Sequence, residues 1–180
     1  MVKKTMLSVT ISALAAFAVS ASLLIYWNSE PWLTLAITFG TVFYHFGMRL
    51  AVGYAFNKLM KNKADVLKRW YMLRTWETKL YNILKVKSWK SKLPTYAPDF
   101  FSPQKHTWNE IAQAMCQAEL VHETIIILSF APLFAVIFFD SFWVFFITSA
   151  AAAIFDLLFV IIQRYNRDRI VKIASKEKNT

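Results

Sequence analysis

The chain has 180 residues, of which 57% are hydrophobic and 17% aromatic, and its formal net charge at pH 7 is +10. A soluble domain of this length does not bury so much apolar surface, so the composition favours a membrane protein. The single cysteine, Cys116, excludes a disulfide framework and a cysteine-based metal site. The positive charge flanks the apolar runs, where anionic lipid headgroups attract it. We therefore expect membrane lipids as partners, and no nucleic acid.

Four long apolar runs occupy about residues 6–27, 32–52, 122–139 and 142–163. Each is long enough, or nearly so, to cross a hydrocarbon layer of about 30 Å at about 1.5 Å per helical residue. We interpret the first run as a retained helix, because it is longer than the apolar core of a secretory signal. The predicted fold is all-α, with four transmembrane helices in a single membrane domain over residues 1–180.

The distribution of lysine and arginine predicts how these helices are oriented. All 21 of them lie at the N-terminus, late in the second run, in the long connection or after residue 163. The only charged residues in the two short loops between runs are the acidic Glu30 and Asp140. Because cytoplasmic loops are enriched in lysine and arginine, both termini and the connection should face the cytoplasm. We expect a multi-pass protein of the bacterial cytoplasmic membrane.

The connection, about residues 58–107, begins with a segment whose pattern predicts an amphipathic helix over 62–88. Apolar residues recur there at spacings of three, four or seven, with basic residues between them. This pattern is typical of a helix in the headgroup plane, and also of one packed on a cytoplasmic partner. The apolar positions are Val66, Trp70, Leu73, Leu80 and Leu84, and the basic ones include Lys68, Arg69, Lys79 and Lys85.

The third apolar run is preceded by a clear start signal for a helix. Three prolines break 93–106 into loop. Thr107 and Glu110 then match a capping box, in which each side chain bonds the other residue's free backbone N–H. A helix should therefore begin at Trp108 and continue into the membrane, with a kink at Pro132.

Ionisable residues inside the apolar runs mark a candidate site, because such residues usually face a bundle interior or a cavity. Counting about 1.5 Å per residue places His45 and Asp156 at the same depth, with Arg49 one turn nearer the cytoplasm. From this depth we predict that His45 and Asp156 form a pair, more readily structural than catalytic.

A second polar group lies at the cytoplasmic ends of the last two apolar runs. Glu119, His122 and Glu123 share one helix face, since their spacings are three and four. Gln163 and Arg164 end the fourth run. The Glu-x-x-His spacing also occurs in di-iron bundles, which need a second copy of the motif. The chain lacks that copy, so we expect no metal.

Three stretches go beyond these physical patterns. They are Ala-Glu-Leu-Val-His at 118–122, Gln-Arg-Tyr-Asn-Arg at 163–167, and the Trp-x-x-x-Arg-x-Trp-x-x-Lys pattern at 70–79. Together they resemble the glycosyl-4,4'-diaponeurosporenoate acyltransferase family, whose named member acylates a sugar-linked carotenoid. The resemblance implies membrane acyl transfer. By position in the matching motifs, it also implies that Glu119, His122, Arg164 and Asn166 are site residues.

The predicted function is transfer of a fatty acyl group to a hydroxyl of a lipid-linked or glycolipid acceptor at the cytoplasmic leaflet. His122 and Glu119 are the predicted catalytic residues: neutral His122 would deprotonate the hydroxyl, and Glu119 would orient its imidazole. The acyl donor would be acyl-CoA or an acyl-carrier protein, and no other cofactor is expected.

The remaining predicted site residues would bind substrate. Arg164 and Arg49 would hold the anionic phosphates of the donor. Asn166 or Gln163 would donate a hydrogen bond to the tetrahedral oxyanion. The other predicted substrate-binding residues are His45, Asp156 and Glu123.

Two other functions fit the same polar residues. A non-catalytic lipid-binding subunit, or a partner of an enzyme or transporter, would use them as a headgroup site. A small membrane methyltransferase or reductase is a weaker alternative. A comparison of cellular lipids with and without the protein separates these hypotheses.

Overall fold

The computed structural model describes residues 2–177, and this part of the chain is helical without strands. The helices are α1 (Val2–Trp27), α2 (Glu30–Met60), α3 (Thr75–Ile83), α4 (Val86–Trp89), α5 (Trp108–Leu128), α6 (Val136–Phe139) and α7 (Phe142–Glu177). Short 3₁₀ turns lie at Arg69–Tyr71, Lys90–Lys92, Pro98–Phe101 and Ala131–Ala135. The main pairings are α1 with α2 and α5 with α7, and α2 also contacts α5.

Four helical segments of the described chain are long and apolar enough to cross a membrane, as the sequence predicted. They are Val2–Trp27, Glu30–Met60, Trp108–Phe139 and Phe142–Lys176. All four extend beyond the apolar runs. The fourth was predicted to end near residue 163, but the helix continues through basic sequence as α7. The orientation across the membrane and the grouping into one domain stay predictions.

The turn between α1 and α2 follows from its sequence. Asn28 adopts the left-handed conformation, φ 44°, which asparagine tolerates, and its N–H donates to the carbonyl of Leu24 at 2.7 Å. Pro31 lies in the first turn of α2, where a missing N–H breaks no helical bond. The rings of Trp27 and Trp32 stack with centroids 5.9 Å apart. Paired tryptophans at this end suit a membrane interface.

The predicted kink at Pro132 is confirmed, and a neighbouring helix compensates for it. α5 ends at Leu128, four residues before a proline that has no N–H to donate to the Leu128 carbonyl. The chain continues as the 3₁₀ turn Ala131–Ala135. The hydroxyl of Tyr44 on α2 donates to that free carbonyl at 2.8 Å. In a lipid environment this bond satisfies a group that water cannot reach.

The continuous amphipathic helix predicted over 62–88 is wrong. Residues 62–68 form turns, a 3₁₀ turn follows at Arg69–Tyr71, and α3 begins only at Thr75. A second break occurs at Lys85, whose φ of 49° lies in the left-handed region. The segment therefore consists of short pieces rather than one helix.

Tertiary contacts explain these breaks. The backbone N–H of Asn62 donates to Oε1 of Gln117 on α5 at 2.7 Å, which holds the start of the connection in a turn. Tyr81 and Val86 form a buried cluster with Ile161 of α7. These partners lie far away in sequence, so the local spacing of apolar residues does not reveal them.

The connection also buries a different face from the one predicted. Trp70, Leu80 and Leu84 of the predicted apolar stripe are exposed, whereas Tyr71 and Glu77 are buried. A capping box in which Glu77 accepts the backbone N–H of Arg74 starts α3. Glu77 thereby enters the protein interior beside the last turns of α7.

Candidate functional site

A buried carboxylate on α5 organises the end of the bundle where the basic residues lie. Glu119 is 0% exposed. Its Oε1 accepts a hydrogen bond from Nη1 of Arg164 at 2.5 Å, and its Oε2 accepts one from Arg167. Arg164 and Arg167 both belong to α7. One carboxylate thus joins the two central helices through two arginines.

The connection completes this ion cluster from the other side. Oε2 of Glu77 accepts from Nη2 of Arg164 at 3.1 Å. Arg164 also donates to the carbonyls of Trp70, at 3.1 Å, and Met72, at 3.3 Å. Arg167 donates to the carbonyl of Tyr71, and its guanidinium lies 5.1 Å from the centre of that ring. Two arginines and two carboxylates balance, so the cluster is neutral overall.

The surroundings of Tyr71 match a structural role for this cluster. Burial, with Cys116 and Glu119 nearby, raises the pKa of Tyr71 to about 12. The phenol is therefore neutral at physiological pH and its ring remains available to the cation of Arg167.

A second cluster lies deeper along α7 and contains the predicted base. Asp156 is 1% exposed, and its Oδ2 pairs with Arg49 of α2. Its Oδ1 lies 2.8 Å from Nδ1 of His122 on α5. Arg49 also donates to the carbonyls of His45, at 3.0 Å, and Ala152, at 3.3 Å. Asp156 is thus the point where α2, α5 and α7 meet.

The imidazole of His122 is held in one orientation. Its ring stacks on Phe159 with centroids 4.8 Å apart and an interplanar angle of 10°. In the tautomer in which Nδ1 donates a hydrogen bond to the carboxylate of Asp156, the lone pair of the ring lies on Nε2. Nε2 forms no hydrogen bond within residues 2–177, and the side chain is 22% exposed. The arrangement is that of an oriented base.

Two predicted pairings are corrected by this geometry. Glu119 does not orient His122, because Arg164 and Arg167 occupy both of its oxygens; Asp156 orients the imidazole instead. His45 forms no bond with Asp156, and both of its buried ring nitrogens lack a partner in the described structure. Counting residues gave the correct depth for these groups but not the direction in which each points around its helix.

The predicted phosphate-binding role of the two arginines is also corrected. Arg49 and Arg164 direct their donors at carboxylates and backbone carbonyls inside the protein. Binding a phosphate would require breaking buried ion pairs, which is costly. Exposed lysines of the connection are better placed for that task.

The other predicted residues lie around the two clusters. Glu123 accepts a hydrogen bond from Nε1 of Trp70 at 3.1 Å. Asn166 accepts one from Lys90, near the far end of α7. Gln163 is half-buried, one turn beyond Phe159. Of the predicted residues, His122, Asp156 and Arg49 are joined in one network, and Glu119 and Arg164 in the other.

The sequence reading missed Glu77 and Arg167 as members of the first cluster. Arg167 follows Arg164 by three residues, a spacing that places both on one helix face and that signals a shared partner. Glu77 carried no such signal, since its only local feature is the capping position in α3. Within residues 2–177, no group of three or more His, Cys, Asp or Glu side chains is arranged to hold a metal ion.

Comparison with known proteins identifies the family. The family model described as CrtO, glycosyl-4,4'-diaponeurosporenoate acyltransferase, matches residues 67–176, more than half of the chain. The chain therefore belongs to this family, as the sequence resemblance predicted. His122, Asp156 and Glu119 lie within the matched residues, whereas His45 and Arg49 lie before them. No curated protein and no solved structure matches the chain significantly.

Proposed function

We propose that this member of the acyltransferase family transfers a fatty acyl group to a lipid-linked hydroxyl, with His122 as the general base. One observation carries the proposal: Nδ1 of His122 is bonded to Asp156 at 2.8 Å while Nε2 has no partner in the described protein. A histidine oriented through one nitrogen and free at the other is suited to remove a proton from a hydroxyl.

The chemical step is attack of the acceptor hydroxyl on an acyl thioester of coenzyme A or of an acyl-carrier protein. Nε2 of His122 takes the hydroxyl proton as the new carbon–oxygen bond forms at the carbonyl. The carbon–sulfur bond then breaks, and the imidazolium returns the proton to the leaving thiolate. Acyl, proton and charge are balanced without a metal or redox partner.

Asp156 and Arg49 support this step as positioning residues. Arg49 pairs with Oδ2 of Asp156, and Oδ1 of Asp156 holds Nδ1 of His122 in place. When His122 gains a second proton, the same carboxylate stabilises the imidazolium, as the aspartate does in serine hydrolases. Buried groups supply this stabilisation without reorganising water.

The oxyanion donor is the amide of Gln163 rather than that of Asn166. Asn166 lies ten residues beyond Asp156, about 15 Å along α7, which is too far from the reacting carbonyl. Gln163 follows Phe159, the residue that stacks on His122, by one helical turn. Its long side chain can donate where negative charge develops.

The acceptor is a membrane lipid because His122 lies on a helix long and apolar enough to span the bilayer. A lipid-linked or glycolipid hydroxyl reaches that depth, whereas a free sugar does not. The soluble donor would approach from the end that carries the basic residues, which we assign to the cytoplasmic leaflet.

Lipid profiles of cells test this function against the lipid-binding alternative. Cells that express the wild type should contain an acylated lipid that is absent from cells lacking the protein and from cells expressing His122→Gln. His106→Gln is the matched control, since His106 lies in the loop before α5, where its ring lies beside Glu110 and Phe100. A lipid profile restored equally by His122→Gln would favour a non-catalytic lipid-binding subunit.

A further inference from the structure

A cavity of about 480 Å³ lies between α3, α4 and the last turns of α7. Its lining includes Tyr81, Asn82, Lys85, Lys87, Ser88 and Tyr165. A smaller cavity of about 100 Å³ shares three of these residues and extends to Asp168 and Arg169. The pair of cavities forms one concave surface, which we call the α3–α7 cavity.

The charge of this cavity is positive and unbalanced. Lys85 and Lys87 line it, and neither pairs with a carboxylate in the described protein. Arg169 borders it as a further cation. The acidic residue on its border, Asp168, pairs with Lys172 at 2.7 Å. An anion in this cavity would meet cations that have no internal partner.

Lys90 adds to this positive charge, because it lies against Tyr165, one of the residues that line the cavity. Its ammonium donates to Asn166 and lies 4.8 Å from the centre of the Tyr165 ring. Burial lowers the pKa of Lys90, and the neighbouring Arg169 and Lys87 lower it further. Cations that disfavour one another in this way would be stabilised by a bound anion.

The neutral lining supplies hydrogen-bond donors. Asn82 offers an amide, whereas the hydroxyl of Ser88 already donates to the carbonyl of Lys85 at 2.8 Å. Burial raises the pKa of Tyr81 to about 12, so its phenol stays protonated. Lys85 adopts the left-handed conformation that turns the chain from α3 into α4, and this turn brings both lysines to one cavity. Ammonium groups combined with neutral donors are the groups that bind phosphate.

The cavity is separate from the site around His122. Tyr165 follows Asp156 by nine residues, which at about 100° per residue places it on the opposite side of α7. The same interval is about 14 Å along the helix axis. A ligand in the cavity therefore does not touch the imidazole.

We propose that the α3–α7 cavity binds a phosphate group, carried either by an anionic phospholipid or by a soluble phosphate ester. The phosphate bridges Lys85 and Lys87 and accepts a hydrogen bond from the amide of Asn82. Bound there, it fixes α4 against α7. The site does not depend on acyl transfer at His122.

Binding by the purified full-length protein in a neutral detergent tests the proposal. The probes are dihexanoyl phosphatidylglycerol, dihexanoyl phosphatidylcholine and coenzyme A, each titrated against the wild type and two variants. Lys85→Gln/Lys87→Gln removes the cavity charges, and Lys63→Gln/Lys79→Gln removes two exposed charges of the same connection that do not line the cavity. Because all four lysines are exposed, the variants should fold, and circular dichroism checks that they do.

We expect the cavity variant to bind phosphatidylglycerol or coenzyme A about tenfold more weakly or worse, as for lost charged hydrogen bonds. The control should stay within about twofold of the wild type. Preference for phosphatidylglycerol identifies a lipid phosphate, and preference for coenzyme A identifies a soluble one. Equal weakening in both variants would show diffuse charge attraction and overturn the proposal, as would absence of binding by every phosphate probe.

Discussion

At the scale of single residues, two buried carboxylates have different chemistry because of their partners. Glu119 is bonded to two arginines, which do not release protons at physiological pH. Asp156 is bonded to one arginine and to His122, whose imidazole can both give and take a proton. The Asp156 network is therefore the one that can move a proton, and the Glu119 cluster holds helices together.

Asp156→Asn should reduce turnover by roughly 10²-fold or more, because an amide can donate to Nδ1 and force the proton onto Nε2. Turnover of the purified variant, normalised to folded protein, measures this effect. Asp99→Asn is the control, since Asp99 is exposed and pairs with Lys105 in the loop before α5. Turnover of Asp156→Asn within about twofold of the wild type would contradict the assigned role of Asp156.

The sequence predicted which residues lie close together better than how they pair. His122, Asp156 and Arg49 were found because ionisable groups are rare in apolar runs. Their partners were not found, because depth along a helix leaves its rotation undetermined. Glu119 and His122 lie on one helix face, yet they contact different residues of α7.

At the scale of elements, the Glu119 cluster joins α3, α5 and α7. Breaking a buried ion pair leaves an unpaired charge, which typically costs about 3–5 kcal/mol. The cluster should therefore govern stability rather than turnover, in contrast to His122.

Glu119→Gln should lower the thermal midpoint of the protein in detergent, because it leaves Arg164 and Arg167 with one carboxylate, Glu77, between them. Glu110→Gln is the matched control: it removes an exposed capping interaction worth about 1 kcal/mol. If Glu119→Gln melts like the wild type, the cluster does not stabilise the fold.

A second prediction at this scale concerns the break after α5. Tyr44→Phe should destabilise the protein by about 1–3 kcal/mol, the cost of leaving the Leu128 carbonyl without a donor in a lipid environment. Tyr54→Phe, at an exposed tyrosine of the same helix, is the control. Adding Pro132→Ala should restore part of the loss, since residue 132 then has an N–H. An unchanged thermal midpoint in Tyr44→Phe would refute the compensation.

The elements were predictable where the signal is local. The capping box of Thr107 and Glu110 starts α5 as predicted, and the helix breaks near Pro132. The breaks within residues 62–88 were not predictable, because they depend on contacts with α5 and α7. Helical spacing of apolar residues was present there, but tertiary packing overrode it.

At the scale of the whole molecule, the described residues contain four helices that are long and apolar enough to span a membrane. The sequence predicted these spans because long apolar runs are a strong signal. The direction of insertion rests on the positive-inside rule and needs its own experiment.

Single cysteines introduced at four positions test the orientation. Ser29→Cys and Ser141→Cys should react with a membrane-impermeant thiol reagent on intact cells, whereas Ser91→Cys and Ser175→Cys should react only after permeabilisation. Native Cys116 is buried, so its background labelling should be low. Labelling of position 91 from outside would overturn the predicted topology.

The central claim is that His122 is a catalytic base and not merely a buried hydrogen-bonding group. Its most direct test is acyl transfer by purified protein supplied with acyl-CoA and extracted membrane lipids. We predict that His122→Gln is folded but transfers acyl groups at least about 10²-fold more slowly than the wild type, while His106→Gln retains full turnover. Wild-type turnover by His122→Gln would contradict the account.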